Sequence, residues 1–304
     1  MKIDHAQLSS FAAVVRHGSF DGAARWLHVT PSAISQRIRQ LEERLGQILI
    51  ERGSPCRVTT AGQPLLRYAE QVALLESETL AALGVSDGYE PGLSRAPARI
   101  PLVINADSFD SWFGEVFTAL IAHPEITLDV CVEDQEHSLE LLRNGAAMVG
   151  VSATETTVQG CRVEPLGIMR YRALATPEYM ARHLPHGAIE EDLARAPMLI
   201  FNRKDSLQDQ YLLRLTGKTL QPPTHSAPTT AGFHAAILRN LAWGMIPDQL
   251  SGPERLAGTL VNIDPRLYLD VPLYWHRWRI ESEAIKVLTQ CVRTAARGAL
   301  LPYP

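Results

Sequence analysis

The chain has 304 residues, 46% of them apolar, and a mean hydropathy of −0.05, enough apolar material for at least two ordinary cores. No apolar run approaches about 18 residues, and "MKIDHAQLSSF" lacks the cationic start and continuous apolar stretch of a secretory signal, so no membrane span and a cytoplasmic location are expected. The net charge of −4 is uneven: residues 1–67 hold nine Lys/Arg against five Asp/Glu and the remainder 20 against 28, a head of +4 on a body of −8 that suits a polyanion partner for the head alone.

From the amino terminus, Leu8, Phe11, Ala12 and Val15 fall on one helical face, which Gly18 and Ser19 interrupt. "FDGAARWLHV" reads as a second helix with small residues on its inner side. Thr30 then offers a hydroxyl N-cap and Pro31 occupies the first helical position. Ile34, Ile38, Leu41 and Leu45 form the buried face of this third helix, which ends near Gly46. At about 100° per residue, Ser32, Ser35, Gln36 and Arg39 project on the opposite side. The runs "QILIERG" and "CRVTTAG" read as a two-stranded wing carrying Arg52 and Arg57.

Between residues 61 and 83, Leu65, Tyr68, Val72, Leu75, Thr79 and Ala82 recur at 3, 4, 3, 4, 3, a short seam by which the helix can pair with a copy of itself or pack on its own body. "GVSDGYEPGLSRAPAR", residues 84–99, is rich in Gly, Pro and charge and reads as a hinge linker.

Strands and helices then alternate. "IPLVI", a helix over about 108–122, "ITLDVCV", "HSLELLRNG" and "AMVGVS" make a βαβαβ unit, for which a parallel sheet with ligands at the strand ends is expected. "PMLIFN", a helix near 208–215, "THSAP", a helix over 230–240 and "WGMIP" make a second unit. "GIMRYRALAT" and "VPLYWHRW" are strand-like, and residues 282–300 form a closing helix. The expected organisation is a winged helix-turn-helix domain at 1–60, a linker or dimerisation helix at 61–83, the hinge linker, and a two-lobed α/β domain at 100–304. Lobe I covers about 100–165 with 268–304, and lobe II about 166–267.

A helix whose outer face is Ser, Ser, Gln and Arg suits the reading of base edges, because Gln can bond adenine, Arg guanine and Ser either; an ordinary solvated face is the plain alternative. The preceding helix, tight turn, N-capped second helix, basic wing and positive charge together favour base reading.

Several motifs point away from other chemistries. Cys56, Cys131, Cys161 and Cys291 lie far apart with no CxxC pair, which leaves isolated thiols, or a redox pair of Cys131 with Cys161 if their Cα atoms come within about 7 Å. "TGKT" at 216–219 resembles the end of a phosphate-binding loop, but that motif needs a Gly where this chain has Leu212. No HExxH or GxGxxG is present, and no metal or other cofactor is expected. An enzyme or binding protein on the same two-lobed fold, with the first helices used for assembly, remains the competing function.

Residues 1 to about 83 resemble the amino-terminal module of the LysR-type transcriptional regulators, through "FAAVVRHGSFDGAARWLHVTPSAISQRIRQLEERLGQILIER". The linker helix and a periplasmic-binding-protein-like, two-lobed effector domain fit the same family over nearly the whole chain. The resemblance implies contacts to double-stranded DNA by Thr30, Ser32, Ser35, Gln36 and Arg39 on the helix and Arg52 in the wing. It further implies a homodimer or homotetramer that works with RNA polymerase. "NADSFDSWF", "VEDQEHSLELLRNGAAMVGVS", "PTTAGFHAAILRNLAWGMIP" and "VPLYWHRW" resemble the ArgP/LysG branch, which senses lysine or arginine and controls an exporter of those amino acids.

A cationic amino-acid effector agrees with the residues at the strand ends. Ser108 lies at a strand-to-helix junction and Thr229 and Thr230 at the corresponding one in the second lobe, where free N–H groups favour a carboxylate. Asp107, Glu133 and Asp134 stand where they could face an ammonium or guanidinium group, and Asn202 is a further candidate. Helix capping and solvated surface are the alternative roles for this set.

Overall fold

The computed structural model describes residues 3–83, 98–133 and 135–303. Most of the expected hinge linker, residues 84–97, lies outside the described residues, as does Asp134; residues 98 and 99 open a strand.

Three helices form the head: α1 (His5–His17), α2 (Phe20–Trp26) and α3 (Pro31–Leu45). Each starts on a side-chain cap: Asp4 accepts from the Gln7 N–H, Ser19 from Gly22 and Thr30 from Ala33. Helix α3 ends on Gly46 at φ 65°, a left-handed conformation that costs glycine little. Phe11, Ala23, Ile34, Ile38 and Leu41 meet in the core, each large side chain contributing about 1.5–3 kcal/mol by leaving water. The antiparallel wing, β1 (Ile50–Glu51) and β2 (Arg57–Val58), follows. The long helix α4 (Gln63–Ala82) closes the head core with Leu65, Leu66 and Ala69. Of the expected seam, Leu65 is buried in this core, while Tyr68 and Leu75 are 47% and 41% exposed.

The body begins with β3 (Ala98–Ile104), α5 (Ala106–Asp110), α6 (Gly114–Leu120), β4 (Ile126–Val132), α7 (Gln135–Asn144) and β5 (Val149–Ser152). The single helix expected over 108–122 is thus two short ones. Trp112 and Phe113 are both buried between them, and a regular helix sets neighbours about 100° apart, too far round for one narrow buried stripe. A long strand, β6 (Cys161–Ala175), crosses into the second lobe. There α8 (Pro177–His183), α9 (Glu190–Leu193), β7 (Met198–Ile200), α10 (Leu207–Thr216), β8 (Thr224–Ser226), α11 (Thr230–Leu238), β9 (Gly244–Pro247), α12 (Asp248–Leu256) and β10 (Val261–Asn262) follow. The strand β11 (Leu269–Trp278) returns, and α13 (Glu283–Ala299) packs back on the first lobe.

The main sheet has seven strands, ordered β10-β6-β11-β5-β3-β4, with β9 also on β6. The first βαβαβ unit is parallel as expected, and the sheet becomes mixed only where the crossing strands join it. β3 is parallel to β4 and β5, but β11 runs antiparallel to β5 and β6, because the chain must pass from one lobe to the other and return. Strands β6 and β11 therefore belong to both lobes.

The same order excludes the redox pair. Cys131 on β4 and Cys161 on β6 are separated by β3, β5 and β11, so four steps of about 4.8 Å place them roughly 19 Å apart. Burial also pushes the Cys161 thiol up to about 11 and the Cys131 thiol upward, away from the reactive thiolate.

Candidate functional site

Two functional surfaces follow from this architecture, one on the head and one between the lobes. On the head, Ile34, Ile38 and Leu41 anchor α3 inward, so Ser32, Gln36 and Arg39 are exposed and Ser35 is partly so. Thr30 commits its hydroxyl to the helix start, 3.2 Å from the Ala33 N–H and 3.0 Å from the Ser32 Oγ. Arg39 Nε donates to Glu43 Oε1 at 2.8 Å; both side chains are exposed, so solvent screens the pair and it is readily exchanged for a base or phosphate. Arg37, by contrast, turns inward to Ser10. Arg52 lies just past β1 with its guanidinium 5.4 Å from the Phe20 ring centroid, which holds the wing arginine against the start of α2. The six residues expected to contact DNA thus divide into an exposed row on α3, its cap, and one wing cation.

Between the lobes lies a cleft of about 1120 Å³, floored by the crossing strands β6 and β11. Its wall carries Asp107, Asp110 and Glu133 from the first lobe, Asp205 from the second and Asp270 from β11, against Lys204 and His234. Arg170 neutralises Asp270 through two 2.8 Å hydrogen bonds. The rest leaves the cleft acidic.

Asp107, in the first turn of α5, is partly buried in the cleft wall. Its Oδ2 accepts from Tyr171 Oη at 2.7 Å. Burial raises its pKa to about 6; the Tyr171 hydrogen bond opposes this, and Asp205 and Asp110 add to the rise. Burial and the adjoining carboxylate in turn push the Tyr171 phenol well above its ordinary value. Asp205 is fixed by the Phe201 N–H at 2.9 Å, the Leu207 N–H at 3.1 Å and Gln208 Nε2 at 3.2 Å.

Glu133 is exposed and lines the cleft, its N–H bonded to the Ile104 carbonyl, so Asp107 and Glu133 leave adjacent strand ends as expected. Thr229 caps α11 by accepting from the Gly232 N–H at 3.1 Å. Thr230 follows it on the wall with its Oγ1 buried and unpartnered among the described residues. Asn202 lines the cleft but turns its Oδ1 to the Lys204 N–H at 2.8 Å. Ser108 requires correction. Helix α5 starts two residues earlier, with Asn105 as its N-cap, so Ser108 turns into the protein; it is buried with an Oγ unpartnered among the described residues, and the cleft wall runs through Asp107 and Phe109 instead.

Asn105, Asp110, Tyr171 and Asp205 were missed from the sequence. Asn105 directly follows "LVI" and carried a signal, since Asn is a common N-cap. Tyr171 carried none, because a tyrosine within "GIMRYRALAT" fits any half-buried strand. The "TGKT" fragment is a helix end: Gly217 stops α10 at φ 73°, and Lys218 pairs with Glu190.

Comparison with known proteins gives the same picture. Residues 5–63 match the model of the bacterial regulatory helix-turn-helix protein, lysR family, and residues 110–297 match that of the LysR substrate binding domain. The lysine export transcriptional regulatory protein LysG of Corynebacterium glutamicum is 38% identical, over 97% of this chain and 99% of its own. The crystal structure of ArgP from Mycobacterium tuberculosis superposes with a TM-score of 0.85 at 46% identity, covering 99% of this chain and 100% of that one. Full-length LysG from C. glutamicum with bound effector Arg gives 0.74 at 35% identity, covering 98% and 100%. These relatives are named as regulators rather than enzymes, which removes the catalytic alternative. With both domain models matched and the relatives spanning almost its full length, the chain belongs to the LysR family of bacterial helix-turn-helix transcriptional regulators.

Proposed function

We propose that this regulator senses a basic amino acid, arginine or lysine, in the cleft between its lobes and controls transcription of an amino-acid exporter gene. The observation that carries the reading is the excess of carboxylates on the cleft wall, led by the partly buried Asp107. An ammonium or guanidinium group placed there gains charge-assisted hydrogen bonds, while the ligand's carboxylate suits the free N–H groups and Thr230 hydroxyl at the start of α11. The Arg-bound C. glutamicum relative supports the ligand class, and the lysine export regulator supports the target class.

On this reading Asp107, Glu133, Asp134, Asn202, Thr229 and Thr230 are effector residues, and Asp205 joins them. Ser32, Ser35, Gln36, Arg39 and Arg52 contact double-stranded DNA, with Thr30 setting the helix start. Exposed Tyr68 and Leu75 serve the pairing of two copies through α4, as a dimer or within a tetramer. Such an assembly on a promoter would act on RNA polymerase in the cytoplasm; no described helix is long and apolar enough to cross a membrane. Titration calorimetry with arginine, lysine, citrulline and norleucine tests the effector. Binding of the two cations and not of their uncharged counterparts is expected; equal affinity for citrulline and arginine would reject the charge-based site.

A further inference from the structure

Helix α4 presents a second stripe besides its pairing seam. Arg67, Glu70, Leu74 and Glu78 recur at spacings of 3, 4 and 4, one helical face, and this face docks on the body of the same chain. Next to Arg67, the turn before β5 comes so close that a Cβ on Gly145 would stand 2.9 Å from the Arg67 backbone. Leu74 is 2% exposed and joins the core of the body rather than that of the head. Glu78 Oε1 accepts from Ser282 Oγ at 2.6 Å and from the Ala284 N–H at 3.0 Å, so α4 caps the amino end of α13.

Glu70 is the centre of the stripe. It is 7% exposed, and its two oxygens accept from Arg16 Nη2 of α1 at 2.9 and 3.1 Å. Arg99 of β3 approaches the same carboxylate at 3.6 Å and pairs with Asp129 of β4 through its other nitrogen. One nearly buried carboxylate is therefore shared between a guanidinium of the head and a guanidinium of the body. The sharing is unequal: Arg16 makes hydrogen bonds, while Arg99 makes a longer ion pair. A displacement of a few tenths of an ångström would change that balance, because charge-assisted hydrogen bonds weaken steeply beyond about 3 Å.

The two strands bearing Arg99 and Asp129 lead to the cleft. β3 passes from Arg99 to Ile104 and delivers Asn105 and Asp107; β4 passes from Asp129 to Val132 and delivers Glu133. Their registers are locked side by side, with Arg99 opposite Thr127 and Ile104 opposite Val132. Over the five steps from Arg99 to Ile104 such a strand spans roughly 17 Å and shifts as a unit.

We propose that this stripe of α4, with Glu70 as its pivot, is the coupling interface between effector and DNA. Effector binding moves the first-lobe strands, Arg99 moves with them, and the Glu70 carboxylate is redistributed between Arg99 and Arg16, which reorients α1 and the reading helix packed on it. The inference rests on the effector-sensing reading above and adds the route by which the signal leaves the body. Glu70 and Arg99 lie outside the cleft wall and away from α3 and the wing, so they act as positioning residues.

The test uses full-length protein and an operator from its own upstream region. Response is read as the ratio of operator dissociation constants without and with saturating arginine or lysine, and as the end-to-end FRET change of a doubly labelled operator. In Arg99→Gln, which leaves the Arg16–Glu70 pair intact, arginine affinity and effector-free operator affinity stay within about twofold of wild type, while the response falls by about fivefold or more, the scale of an ordinary allosteric coupling. Arg99→Lys, which keeps the charge, restores part of it. Glu70→Gln gives the same loss and serves if Arg99→Gln fails to fold. Wild-type response in the folded variants would overturn the proposal. A wild-type protein that binds no amino acid would overturn the effector reading itself, and the coupling with it.

Discussion

The head and the cleft solve opposite problems with opposite construction. On the proposed reading the head meets a polyanion with side chains from one helix and one wing, all within 23 residues, mostly exposed and backed by a local core. The cleft gathers Asp107, Glu133, Tyr171, Asp205, Thr230 and Asp270 from more than 160 residues of chain around one space. Exposed cations exchange partners at little cost, and the Arg39–Glu43 pair is of this exposed kind. A partly buried carboxylate is costly when unpaired, and that cost becomes selectivity when a cation arrives. The head is thus built for reach and the cleft for discrimination.

The contrast can be broken first at the head. Arg39→Ala with Gln36→Ala should remove about 1–3 kcal/mol of base discrimination per contact, seen as lost preference for the operator over random DNA in gel-shift titrations, with arginine binding unchanged. Unchanged preference would remove α3 from its reading role. In the cleft, Asp107→Asn keeps the shape and deletes the charge; about 2 kcal/mol of arginine affinity, near thirtyfold, should go, with operator binding in the absence of effector retained.

Proton competition sharpens the same point with a smaller effect. Because the free-state pKa of Asp107 is raised to about 6, a cation must displace a proton below that pH. Arginine affinity should be flat above about pH 7 and weaken on acidification through 6, by up to tenfold per unit, and Asp107→Asn should flatten the profile. In the ligand-free protein a raised carboxyl pKa contributes stability that is present below the unfolded value and lost as pH rises through about 6. The rise in melting temperature on adding arginine should therefore grow across that interval. The smallest effect belongs to the wing: Arg52→Ala should lower the slope of log affinity against log salt by about 1, with little change in sequence preference, as measured by anisotropy at several salt concentrations.

The same contrast explains what could be read in advance. Ile34, Ile38 and Leu41 define an inside, so the outward row at Ser32, Gln36 and Arg39 was legible from periodicity alone. Strand-end reasoning put Asp107, Glu133 and Thr230 together, and all three line the cleft. It misplaced Ser108 by assuming a helix start that Asn105 in fact provides. Tyr171 and Asp205 escaped because their proximity to Asp107 depends on how the crossing strands set the lobes. The docking stripe on α4 escaped for another reason: Glu70 and Glu78 look like solvent-facing positions of an amphipathic helix until Arg16, Arg99 and the start of α13 are seen to cover them.

The central claim is that charge in the cleft controls the head. Its most direct measurement is a titration of the operator-bound, full-length protein with arginine and with citrulline, which differ chiefly by one positive charge. Arginine should change operator binding at concentrations where citrulline has no effect, and Asp107→Asn should move the arginine response to about thirtyfold higher concentration. Equal responses to the two ligands, or none to either while arginine still binds, would contradict it.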